Sequence, residues 1–120
     1  MLNVVKSGKI CVMNKVKIVT FVPHANANKV REALGSAGAG KIGEYSYCSY
    51  SVTGKGRFIP SDKASPHIGT ANNLEIVEEE RVEVVCEREN AKAAIEAMKR
   101  AHPYDEVAFD IYPLLEEEEL

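Results

Sequence analysis

The sequence repeats itself. Residues 30–38, VREALGSAG, align with residues 94–102, AIEAMKRAH, placing Val30, Glu32, Ala33, Leu34 and Ala37 over Ala94, Glu96, Ala97, Met98 and Ala101. An alternating apolar run precedes each copy, VKIV at 16–19 and VEVV at 82–85. Apolar residues with period two mark a half-buried strand, and those at helical spacing mark the inner face of a helix. Each half therefore reads as strand–helix–strand. Two such units in tandem, with right-handed crossovers, put both helices on one face of a four-stranded antiparallel sheet. The expected class is α+β, a ferredoxin-like split βαβ fold of order βαββαβ.

The first strand is expected over residues 15–23, with Val16, Ile18 and Thr20 against Lys15, Lys17 and Val19, and Pro23 ending it. A helix follows, with Asn26 or Asn28 as N-cap and Gly38 at the left-handed position past its end. GAGKIGEY (38–45) is a glycine-punctuated turn, and YSYCSYSV (45–52) reads as a half-buried strand because aromatics alternate with serines. TGKGRFIP (53–60) gives a turn and a short strand, and 61–73 a polar loop, so a hairpin and loop around 54–73 are inserted in the middle. Residues 74–87 are extended, with Val82, Val84 and Cys86 on one face and Glu78, Glu79 and Glu80 as a solvated bulge or edge. The second helix covers about residues 89–101, with Ala91, Ala94, Ile95, Met98 and Ala101 inward, and VAFDIYPL (107–114) is the last strand. The domain is thus placed at 15–115. Residues 1–14 form an N-terminal extension, read as loosely held or as an extra edge strand, and 116–120 form an acidic tail.

A chain of 120 residues forms one core without staples. The net charge of -3 argues against nucleic acid, whose phosphate backbone is bound by clustered Lys and Arg. No apolar run reaches bilayer length, and the N-terminus has no apolar stretch of the secretory kind. Cys11, Cys48 and Cys86 are odd in number and lack C-x-x-C spacing, which fits reduced thiols and a cytoplasmic location. Two helices cover one side of the sheet only. The apolar and aromatic content of YSYCSYSV and LEIVEEERVEVV exceeds what one face consumes, so the bare face is expected to be apolar and to drive self-association.

In order along the chain stand VTFVP before a helix, GAGKIGEYSYCSYSVTGKGRFIP, SPHIG, LEIVEEERVEVVCE and AHPYDEVAFDIYPL. Together, over about residues 15–115, they resemble the YqfO-type domain of the NGG-interacting-factor-three-like family. That domain is inserted in many bacterial members and also occurs as a short standalone protein, the form expected here. It is similar to the PII and CutA proteins, trimers of ferredoxin-like subunits whose sheets pack around a three-fold axis. The resemblance thus implies a PII/CutA-like homo-oligomer, a trimer in preference to a dimer. Full-length relatives carry a dinuclear metal site of His, Asp and Glu from two flanking halves, with a hydrolase-like activity attached. These 120 residues hold no such halves, and His24, His67 and His102 form no His-x-x-x-Asp pair, so that activity does not transfer. His67 stands where relatives commonly carry an aromatic in the P-x-I-G loop and inherits no role.

The densest chemistry is His102-Pro103-Tyr104-Asp105-Glu106, and it supports two readings. As a helix stop, His102 bonds the last carbonyls of the second helix, Pro103 forbids continuation and Tyr104 folds back. As a binding site, His102, Tyr104 and Glu106 line a cleft between subunits with Gly38, Gly40 and Gly43. Completed across an interface, His102, Cys48 and His67 would hold a divalent metal, the one cofactor the sequence suggests. GAGKIG lacks the G-x-x-x-x-G-K-[ST] frame and follows a helix, the wrong polarity for a phosphate loop. Cys48 has no adjacent base and reads as an inert thiol. The expected function is a non-enzymatic, homo-oligomeric binding or regulatory module for a small ligand or divalent metal. The alternatives are a metal-dependent hydrolase of phosphoesters or nucleotides, or a docking domain for a separate protein partner.

Overall fold

The computed structural model describes residues 14–120 in full and, as backbone, two short strands before them, β1 (Asn3–Lys6) and β2 (Lys9–Val12). These two pair with each other, antiparallel, in a sheet of their own. The rest of the expected extension lies outside the described residues.

The domain proper runs β3 (Lys15–Pro23), α1 (Ala27–Ser36), β4 (Tyr50–Phe58), β5 (Glu75–Glu87), α2 (Arg88–Ala101) and β6 (Phe109–Pro113). Its sheet has the order β4-β5-β3-β6 with every neighbour antiparallel, the split βαβ topology expected from the repeat. The register pairs Val16 with Cys86, Ile18 with Val84 and Thr20 with Val82, so these side chains share one face. Against that face pack Ala27, Val30 and Leu34 of α1 and Ala91, Ala94, Ile95 and Met98 of α2. The paired positions of the repeat, Val30 with Ala94 and Leu34 with Met98, are all buried. Thr20 is fully buried on this face, and its hydroxyl donates to the Ala108 carbonyl at 2.9 Å. Among the described residues no helix is long and apolar enough to cross a membrane.

Several local expectations are corrected. Residues 45–48 are not strand: Tyr45 bridges to Ile42, and Tyr47 has φ of 59°. The Tyr47 ring lies against α1 at Gly35, where an added Cβ would clash with it, and its hydroxyl meets Ser36 Oγ at 3.1 Å. β4 starts at Tyr50 and continues through TGKGRF, where a turn was expected, because each residue from Tyr50 to Phe58 finds a partner on β5. Asn26 occupies the N-cap position without a side-chain cap bond; a 3-10 turn over His24–Asn26 leads the chain in, and Asn28 Oδ1 accepts from Arg31 at 2.7 Å. Gly38 does end α1 with φ of 98°.

The glutamate run is neither bulge nor solvated edge. The ladder passes through it unbroken, and Glu79 and Glu80 are buried while Glu78 is exposed. Glu80 turns toward α1, accepting from Arg31 Nη1 at 2.5 Å and meeting His24 Nδ1 at 2.6 Å. Arg31 holds its carboxyl below the usual range, with burial opposing and His24 assisting.

The face of the sheet away from the helices is mixed rather than continuously apolar. Lys17 and Arg81 both reach Glu83, at 3.3 and 2.9 Å, and Arg81 lies over the Phe21 ring at 5.8 Å. Arg81 first, then Lys17, hold the Glu83 carboxyl below its ordinary value. Val19 is buried in this face, and Tyr50, Val52 and Tyr112 are exposed around the charged strip. The apolar surplus read from the sequence went elsewhere: Val82, Val84 and Cys86 to the core, Tyr45 and Tyr47 to the loop.

Because Leu34 and Met98 are both fully buried in one core cluster, Leu34→Ala or Met98→Ala should each lower unfolding free energy by about 2–5 kcal/mol. Urea denaturation measures it; a change at the level of a surface substitution would contradict the core described.

Candidate functional site

Strand lengths create the site. β3 stops pairing at Pro23 opposite Glu79, whereas β4 and β5 continue together to Phe58 opposite Glu75. The loop 59–74 returns over this projecting hairpin, and the segment after α2 folds across the end of β3. Between them lies a cavity of about 640 Å³ on the helix-free face, bordered by Phe21, Phe58, Pro66, Ile68, Tyr104 and the hairpin backbone among others. Its floor is β4. Register places Val52, Gly54, Gly56 and Phe58 on the same face as Arg81, Glu79, Val77 and Glu75. The two glycines keep the floor open: a Cβ at Gly54 would meet nothing within 4 Å, and one at Gly56 would come within 2.0 Å of Glu79 Oε1.

His102 is 6% exposed and fully engaged. Its Nε2–H donates to the Phe21 carbonyl at 2.7 Å, and Nδ1 accepts the Tyr104 N–H at 3.1 Å. A carbonyl only accepts and an amide N–H only donates, so these partners fix the neutral Nε2–H tautomer. Burial chiefly lowers the His102 pKa, with the Phe21 carbonyl and Glu79 pulling the other way and His67 adding to the fall. The imidazole therefore does not cap the helix carbonyls, as expected from position. The backbone N–H of His102 bonds Met98 instead, at 2.9 Å, and the ring turns to staple β3.

Tyr104 and the carboxylates face the cavity. The Tyr104 hydroxyl donates to Glu79 Oε2 at 2.7 Å, and burial together with that carboxylate pushes its pKa well above the ordinary 10. Its ring centroid stands 4.8 Å from His102, 6.2 Å from Phe58 and 6.4 Å from His67. Asp105 Oδ2 accepts the Ser65 N–H at 3.1 Å, tying turn to loop, and exposed Glu106 borders the same space.

Of the sequence candidates, the cavity unites Tyr104, Glu106 and His67, with His102 behind Tyr104. It does not unite them with the glycine segment. Gly38 lies beside Asn90, Gly43 is open to space, and Gly40 carries φ of 81° with its Cα against the Cys48 backbone. Cys48 belongs to a separate shallow depression with Lys17, Ile42, Tyr50 and Glu83. The set His102, Cys48 and His67 does not fit a metal within one chain, since both His102 nitrogens are taken and Cys48 is elsewhere. Among the described residues no three His, Cys, Asp or Glu side chains converge as metal ligands. Sequence reasoning missed Glu79, Gly54, Gly56 and Phe58. The spacing V-x-G-x-G-x-F at 52–58, glycines on one strand face, was the available signal.

No protein-family model matches the chain. The architecture is that of the CutA and PII proteins. CutA1 from Shewanella sp. SIB1 superposes with a TM-score of 0.63 at 17% identity, over 86% of this chain and 83% of that one. Bacillus subtilis GlnK, solved as its ATP complex, gives 0.57 at 14% identity over 87% and 86%. At those identities the likeness concerns fold alone. By sequence the chain is similar to proteins named GTP cyclohydrolase 1 type 2 homolog. It is 51% identical over 98 residues to the one from Bacillus subtilis and 47% over 103 to the one from Halalkalibacterium halodurans. The matches cover 82% and 86% of this chain but 26% and 28% of those proteins, so it spans about a quarter of their length. The crystal structure of a Bacillus cereus protein related to NIF3 superposes with a TM-score of 0.75 at 45% identity, over 86% of this chain and 26% of that one.

Since folding lowers the His102 pKa, the unfolded chain takes up that proton first as pH falls. The stability it contributes is complete above about 6.5 and is lost as pH drops toward the folded value. His102→Gln, whose amide can still donate to Phe21, should therefore flatten the decline of the urea midpoint on acidification through that range. Equal slopes for the two proteins would contradict the buried neutral imidazole.

Proposed function

We propose that this chain is a non-enzymatic binding or regulatory module of PII/CutA-like build, which self-associates and holds a small organic ligand in the cavity between β4, the 59–74 loop and the 102–106 turn. One observation carries the reading: a space of about 640 Å³, walled by aromatic and aliphatic side chains, kept open by two glycines at consecutive inward positions of a strand. Ligand sites are commonly of this size and make-up, apolar walls with a few placed polar groups. Hydrolysis by metal-bound water asks for several imidazoles and carboxylates with free donor atoms. His102 has none free, so the name carried by the longer relatives is not extended to this segment.

Self-association is supported by the exposed Tyr50, Val52 and Tyr112 on the helix-free face, beside which the cavity opens. The trimer of the resemblance is the favoured assembly. Free Cys48 and Cys86 suit a reducing, cytoplasmic setting.

Light scattering at micromolar concentration should give three times the chain mass, and a monomer there would end the oligomeric part of the proposal. Screening small organic compounds by thermal shift should find some that raise Tm by mass action. Gly54→Val, whose Cβ meets nothing within 4 Å, should retain the fold and abolish those gains. Gains that survive the substitution would place the ligand elsewhere.

A further inference from the structure

The cavity wall carries charges of both signs, and they are met to different degrees. Arg81 is held by Glu83 at 2.9 Å and stacks over Phe21. Asp105 is tied through Oδ2 to Ser65. Lys55 and Arg57 alternate onto the other face of β4 from Gly54 and Gly56 and border the cavity from there. Glu79 differs. It is 8% exposed, its Oε2 accepts from Tyr104, and its Oε1 has no hydrogen-bond or ion-pair partner among the described residues. That oxygen lies over Gly56, where any side chain would displace it. Among the described residues no buried side-chain oxygen lacks a partner, so this one is open to the cavity, where a ligand that brings N–H groups can donate to it. Phe58 and Tyr104, 6.2 Å apart, supply aromatic surface beside it, and such surface also attracts cations. Exposed Asp105 and Glu106 border the same space, as do Lys55 and Arg57.

We infer that the cavity takes a compact organic cation, a primary amine or amidine on an aromatic or apolar body, with its N–H groups on Glu79 Oε1 and its body against Phe58 and Tyr104. This rests on the cavity being the ligand site.

The test uses benzamidine and phenethylamine as cationic probes, with benzoate and benzyl alcohol as anionic and neutral counterparts, titrated into the isotope-labelled full chain at neutral pH. The cations should shift amides of residues 54–58, 66–68 and 104–106 saturably and bind roughly tenfold tighter than the counterparts, a difference of about 1.4 kcal/mol. Glu79→Gln, which can still accept from Tyr104, should remove that advantage and leave benzyl alcohol binding unchanged. Benzoate or benzyl alcohol binding as tightly as the cations, or Glu79→Gln leaving cation affinity intact, would overturn the cation assignment while leaving the cavity as a site. Failure of all probes to move those amides at millimolar concentration would overturn both. Should Glu79→Gln lose its native spectrum, Gly56→Ala, whose methyl group pushes the carboxylate tip aside, gives the same readout.

Discussion

The pairing of β3 with β5 governs the structure. Nine residue pairs, from Lys15 with Glu87 to Pro23 with Glu79, set which side chains of the two central strands face the helices. A slip of one residue would carry Glu79, Arg81 and Glu83 into the core and expel Val82, Val84 and Cys86, so the register is strongly specified. The same pairing fixes where it must stop. β5 has 13 residues against nine in β3, and the surplus projects with β4 as a hairpin that lacks a neighbour on its inner side. The cavity is the consequence of that mismatch, with loop and turn folded over the gap.

The turn after α2 divides its labour within a few residues. His102 and the Tyr104 amide form a closed chain of hydrogen bonds ending on the Phe21 carbonyl, which anchors the helix end to β3. With its partners satisfied, that chain is rigid and chemically quiet. The phenol and the carboxylates beyond it border the cavity, the phenol bonded to Glu79 and Asp105 to Ser65. Thus one pentapeptide both turns the chain and furnishes a wall of the cavity, through different atoms. The glutamate run does the same across a strand: Glu78 faces solvent, Glu79 the cavity and Glu80 the end of α1, as alternation requires.

What could be read in the sequence was whatever local periodicity decides. Both helices, the central strands and the left-handed Gly38 follow from spacing and backbone preference within a dozen residues. What could not be read depends on partners remote in sequence. Glu80 meets Arg31 across 49 positions, and Glu79 meets Tyr104 across 25, so the run looked like three solvated charges. The tyrosines at 45 and 47 alternate with serines as strand residues do, but no strand lies within reach to pair them, and Tyr47 spends its ring on Gly35. Gly54 and Gly56 suggested a turn because glycine usually marks one. Their ordinary extended backbone and their shared face show the other use of glycine, making room.

The helix-free face reconciles two demands that oppose each other. An uncovered sheet must avoid promiscuous sticking, yet the proposed assembly needs contact area. Glu83 sits between Lys17 and Arg81, and Asp110 pairs across the ladder from Val19, so the strip carries two cations and two anions on one subunit. Charges neutralised within a subunit need no partner from another copy, which lowers the desolvation penalty of covering them. The exposed aromatic and aliphatic side chains at the flanks then supply the favourable contact, Tyr50 at 66% exposed being the largest of them. In the proposed assembly the charged strip would set the orientation in which two such faces meet, and the flanks how tightly they hold. Because the cavity opens on this same face, whatever fills it lies beside any contact between copies, and the walls formed by Val52 and Phe21 belong to both surfaces at once.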